Sequence, residues 1–173
     1  GAREGQRRGR GRGGRGGREG RMAQAAVRKL VPVGMGAVGR GTRARAAATA
    51  VRTDGAPAPL GPYSQAIRSG ETLYVSGCIG LVPGTKDFAK GGVEGETEQV
   101  MANMGAVLEA GGASFDDVVK TTVLLADMGD FAKVNTIYEK YLNTSKPARS
   151  CFAVKELPLG ALVEIECIAS FAK

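Results

Sequence analysis

Histidine and tryptophan are absent from this 173-residue sequence, and cysteine occurs three times, at Cys78, Cys151 and Cys167, with no CxxC pair. Without imidazole there is no Ser-His or Cys-His nucleophile system, nor any zinc pattern that needs histidine. An odd set of widely spaced cysteines in a chain lacking a secretory pattern reads as reduced thiols and an intracellular compartment. No apolar run approaches the roughly 18 residues of a membrane span. Acidic residues are almost missing from one end. Residues 1–52 hold fourteen Arg/Lys against Glu4 and Glu19, whereas residues 53–173 hold ten basic and fifteen acidic residues. Two parts of opposite sign cannot share one electrostatic role.

Residues 1–21 are nearly pure Gly and Arg, with no apolar surface to bury, so they are expected to be disordered. Dense arginine suits phosphates, as in an RGG-type RNA-binding tail, but the Phe and Tyr that would stack on bases are missing. The alternative is that Met22 starts the natural chain and the preceding segment is an artefact. From Met22 to about Arg52 the chain is rich in Ala, Arg and Gly and free of acid. It reads as an organelle transit peptide, plastid preferred to mitochondrion, with the mature chain starting between about Ala46 and Pro59. A linker at Asp54–Pro62, with Pro57, Pro59 and Pro62, closes this segment (22–55) and opens a folded domain over 56–173.

Within that domain Tyr63–Ile67 and Leu73–Ser76 read as strands around a Ser69-Gly70-Glu71 turn, and Cys78–Val82 extends the second. Thr97, Val100, Met101, Met104, Val107 and Leu108 recur at helical spacing until Gly111-Gly112 stops them. The β-branched run Val118–Leu125 predicts a strand, and Asp127, three residues before Asp130, caps a second helix with Phe131, Val134, Tyr138 and Tyr141 as its apolar stripe. Ala148–Val154 and Leu162–Ala169 predict two more strands joined by a loop with Pro158 and Gly160. The order is that of an α+β fold, a mixed sheet with two helices on one face. Two helices leave the other face bare, which predicts an oligomer packing sheet on sheet.

Chemically capable residues are few. Arg68 and Arg149 are the two arginines after residue 52; Arg68 adjoins a turn and reads as a solvated charge. Arg149 opens an otherwise apolar strand, where a guanidinium requires a partner. That partner is either a structural acid such as Glu164 or Glu166 on the next strand, or an anionic ligand gripped bidentately. Period two puts Glu164 and Glu166 on one face, about 7 Å apart. Whether Arg149 shares that face depends on register, which a one-residue slip reverses. Cys151 has no base beside it in sequence to activate it and reads as a small buried residue.

Taken in order, Gly61-Pro62-Tyr63-Ser64-Gln65-Ala66, Tyr74-Val75-Ser76-Gly77, Val119-Lys120-Thr121-Thr122-Val123, Asp130-Phe131 with Val134-Asn135, Pro147-Ala148-Arg149-Ser150, and Glu164 before Ile165-Glu166 resemble the reactive intermediate deaminase (RidA, YjgF) family over residues 56–172. The resemblance implies a chorismate-mutase-like homotrimer with active sites between subunits. It implies hydrolysis of enamines and imines such as 2-aminoacrylate and 2-iminobutanoate to 2-keto acids and ammonia. It also implies no metal or organic cofactor, and a link to pyridoxal-phosphate enzymes such as threonine dehydratase. Carried over, Arg149 grips the substrate carboxylate, Glu164 positions water, and Tyr63, Gly77, Asn135 and the backbone of Cys151 line the pocket. Family members often carry Gln where this chain has Cys78, which leaves substrate preference open. The same family has been described as ribonucleases, translation inhibitors and chaperone-like proteins. An acidic folded part is a poor match for RNA, so nucleic acid is not the expected partner.

Overall fold

Alternation decides which way the strands face. In the computed structural model, which describes residues 47–171, Val163, Ile165, Cys167 and Ala169 are buried while Glu164, Glu166 and Ile168 are not. This is the period of two expected for a half-covered strand. The strands are β1 (Thr49–Val51), β2 (Ala66–Ser69), β3 (Thr72–Ile79), β4 (Val118–Leu125), β5 (Ala148–Ala153) and β6 (Val163–Ser170), with helices α1 (Gly92–Ala110) and α2 (Phe131–Leu142). They form one sheet in the order β1-β2-β3-β6-β4-β5, antiparallel except for β4 and β5. This is the expected α+β architecture. The Arg/Gly segment and most of the expected transit peptide lie outside the described residues.

Three expectations are corrected. β5 and β6 do not pair: β6 lies between β3 and β4, and β5 takes the far edge parallel to β4. The reason is the connection through α2, since a helical crossover returns the chain parallel to the strand it left. β5 is correspondingly exposed at most positions. Secondly, the fold begins before residue 56. β1 pairs with β2 through Thr49–Arg68 to Val51–Ala66, and the Gln65 side chain receives the Thr53 N–H and donates to the carbonyls of Thr53 and Pro57. The proline-rich stretch forbids helix but wraps the sheet rather than leaving it. Thirdly, the buried stripe of α2 is Val134, Ile137, Tyr138 and Leu142, spaced by three, four and eight residues as a core-facing helix requires. Phe131 and Tyr141 flank it, and Tyr141 donates to Glu98 of α1 at 2.8 Å.

The core lies between the helices and one sheet face. Leu73, Met101, Met104, Leu108, Leu125 and Ile165 are its largest fully buried side chains, each contributing about 1.5–3 kcal/mol by leaving water. Gly112, at φ +81°, takes the left-handed turn that ends α1. On the opposite sheet face, Tyr74 and Phe152 remain about half exposed, at 50% and 48%.

Candidate active site

The β3–β6 ladder is irregular. Its register shifts between Val75 and Cys78, so Ser76 and Gly77 drop out of the pairing. Ser76 is tied back to the preceding segment: its amide donates to Gln65 O at 3.0 Å and its hydroxyl to Ser64 O at 2.7 Å. The Glu164 carboxylate lies over Gly77, and a Cβ there would coincide with its Oε1. Only glycine permits that approach. Tyr63, Gly77 and Glu164 line one cleft of about 350 Å³ with Leu60 and Pro158. Burial, and then the charge of Glu166, holds the Glu164 carboxyl above the usual carboxylate range. A carboxylate so placed is matched to proton transfer nearer neutrality.

Arg149 lies elsewhere. Its Nη1 donates to Asn135 Oδ1 at 2.7 Å, and its guanidinium stacks 4.9 Å from the Tyr138 ring and 5.6 Å from Phe131. Tyr138 is itself fixed by a 2.7 Å hydrogen bond to Thr121. Among the described residues the salt bridges are Lys133–Asp130 and Lys140–Glu98, so the structural acid considered for Arg149 is not found. Arg149 and Asn135 line a second cleft of about 420 Å³ with Tyr138, Lys146 and Pro147. Arg68 is likewise not merely solvated; it donates to Gly111 O and stacks over Phe171 at 4.1 Å.

The register settles the question of faces. Arg149 stands opposite Thr121, which stands opposite Cys167, and these two neighbours are buried on the helix side. Glu164 stands opposite Leu124, one step out of phase, and therefore faces the uncovered side. Within one chain the six expected site residues form two groups: Tyr63, Gly77 and Glu164 in one cleft, Arg149 and Asn135 in the other, with half-buried Cys151 two residues along β5. Burial pushes the Cys151 thiol up more than nearby Arg149 lowers it, and the Cys78 thiol is pushed up to about 12. Neither is a ready thiolate. Among the described residues no group of three or more His, Cys, Asp or Glu could hold a metal, and no helix is long and apolar enough to cross a membrane.

Sequence reasoning passed over Gln65, Glu96 and Asn103. All three are buried. Asn103 donates to Ile79 O and Leu81 O, fixing the end of β3, and Glu96 receives the Leu162 N–H at 2.8 Å, fixing the start of β6. Gln65 stood inside a recognised motif, but a polar residue's burial has no local signature.

Residues 53–171 match the family model described as endoribonuclease L-PSP. The chain belongs to this family. It is the reactive intermediate deaminase family anticipated from the motifs. The chloroplastic Reactive Intermediate Deaminase A of Arabidopsis thaliana is 53% identical over 120 residues, covering 69% of this chain and 64% of that protein, somewhat less than two thirds of its length. A 2-iminobutanoate/2-iminopropanoate deaminase of Mus musculus is 50% identical over 119 residues, 69% of this chain and 88% of its own. A solved structure from Entamoeba histolytica, described as an endoribonuclease L-PSP, superposes with a TM-score of 0.69 at 51% identity, covering 72% of this chain and 99% of that one. The fold of this family is therefore the fold of residues 53–171.

Proposed function

We propose that the chain is a hydrolytic deaminase converting 2-imino acids, such as 2-iminobutanoate and 2-iminopropanoate, to 2-keto acids and ammonia. The observation that carries this reading is an arginine with no acidic partner among the described residues, held by Asn135 and two aromatic rings, in a chain whose relatives are named for imine deamination. Arg149 grips the substrate carboxylate with its two-pronged guanidinium. Glu164 receives a proton from water as the water oxygen bonds to the imine carbon and the C=N electrons pass to nitrogen, and the carboxyl then gives that proton to the nitrogen to leave a neutral carbinolamine. Glu164 next takes the carbinolamine hydroxyl proton as the carbonyl forms and the C–N bond breaks, and passes it to the departing nitrogen, which leaves as ammonia. An imine is already electrophilic, so placement beside an activated water supplies most of what is needed. Tyr63 walls the cleft, Gly77 lets Glu164 reach it, Asn135 holds Arg149, and the Cys151 backbone lies beside the carboxylate.

The two half-sites of one chain lie on opposite faces, and the bare sheet face carries Tyr74 and Phe152. Both features support a homotrimer in which the Arg149 half of one copy meets the Glu164 half of the next. Residues 22–48 act as a plastid transit peptide, supported by their acid-free composition and the chloroplastic relative. Cleavage at or before Thr49 keeps β1. The natural source of the imines is a pyridoxal-phosphate enzyme that eliminates water from a hydroxy amino acid. The test generates 2-iminobutanoate in situ with threonine dehydratase and follows imine loss and ammonia. Acceleration proportional to added chain is expected; no acceleration, with salt-dependent RNA cleavage instead, would overturn the reading.

A further inference from the structure

Gln65 is buried, yet its amide is fully used. Oε1 receives the Thr53 N–H at 2.8 Å, while Nε2 donates to Thr53 O at 3.0 Å, to Pro57 O at 2.9 Å and more weakly to Ala56 O at 3.4 Å. One amide group orientation satisfies this set, because an N–H faces one end and three carbonyls the other. The clamped stretch, residues 53–57, leads directly into Leu60, whose amide donates to the Tyr63 hydroxyl at 3.1 Å. Leu60 and Tyr63 line the same cleft as Glu164. Gln65 O also receives the Ser76 amide beside Gly77. One residue thus holds both borders of the Glu164 half-site without touching its interior. From this geometry we infer that Gln65 is a positioning residue for the hydrolytic site, acting through residues 53–60 on Tyr63.

This inference rests on the deaminase reading, and its test separates the two. In the full chain, Gln65→Ala removes the clamp. Amide hydrogen exchange at Thr53 and Leu60 is expected to accelerate, while the α1 and β6 amides keep their protection. On protein shown to be folded at the assay temperature, kcat/KM falls roughly 10- to 100-fold, mainly in kcat, as misplacement of a reacting group by about 1 Å does. Gln65→Glu adds a second readout. Its carboxylate faces three carbonyls, but once protonated it offers one donor and one acceptor, so its activity relative to the parent recovers as pH falls. Exchange that stays slow in folded Gln65→Ala overturns the clamp, and fast exchange with unchanged kcat/KM overturns the positioning role. If neither variant folds, Gln65 is a structural residue and the inference is wrong. A parent chain that leaves the imine untouched overturns the deaminase reading alone, since exchange rates still decide the clamp.

Discussion

Glu164 titrates under two influences of the same sign, burial and the charge of Glu166. Its folded pKa lies above the ordinary carboxylate value, so the folded chain binds a proton that the unfolded chain has released. Stability from this group is therefore greatest at low pH and is lost as pH rises through the folded pKa. In the proposed mechanism activity runs the other way, because only the carboxylate accepts a proton from water. The acid limb of kcat/KM is expected above the ordinary glutamate pKa, and Glu166→Gln should move it to lower pH; an unmoved limb in a pH–rate profile would assign the titration to another group. Arg149 gives a different signature. With no acidic partner among the described residues and an exposed position, Arg149→Lys should leave thermal unfolding nearly unchanged. Its efficiency should drop on the order of 30- to 5,000-fold, corresponding to about 2–5 kcal/mol for a desolvated charge pair left poorly matched. Near-parental turnover in that variant would remove Arg149 from the site.

At the scale of elements, the irregular turn of β3 is what admits Glu164. Gly77 does not use the left-handed region, so Ala suits its backbone and the obstacle is the carboxylate above it. Gly77→Ala should fold with β3 and β6 intact and push the Glu164 side chain aside, lowering kcat roughly 100-fold. Kinetics beside amide exchange of β6 check this; full activity would mean that Glu164 works from another position. α2 plays the corresponding part for the other half-site. It presents Asn135, Tyr138 and Phe131 to Arg149, and Tyr138 is anchored on β4 through Thr121. Each half-site is thus one strand residue braced by a neighbouring element.

For the whole molecule the proposed trimer makes two predictions. Light scattering should give about three times the monomer mass. Mixed assembly of Arg149→Lys with Glu164→Gln, each inactive alone, should regain roughly a quarter of parental activity, the chance that two intact halves meet in a random closed ring. Mixtures that stay inactive after exchange of subunits would show that both residues must come from one chain.

Much was legible locally. The β-branched run Val118–Leu125 gave β4, period-two alternation gave β6 and the Gly111-Gly112 stop gave the end of α1, while the motifs singled out Arg149, Asn135, Glu164, Gly77 and Tyr63 as candidates. Such signals are local because a strand or helix repeats its own geometry every two or 3.6 residues. What stayed hidden depends on contacts between distant segments. Linear sequence could not show β6 inserted between β3 and β4, the proline-rich stretch clamped by Gln65, or the buried bonds of Glu96 and Asn103. Nor could it place Arg149 and Glu164 on opposite faces, since a shift of one residue reverses every side chain of a strand. The sequence by itself determined the family and the candidate residues that its motifs carry; the tertiary structure alone decided which of them stand together, because strand order and register are set by long-range packing.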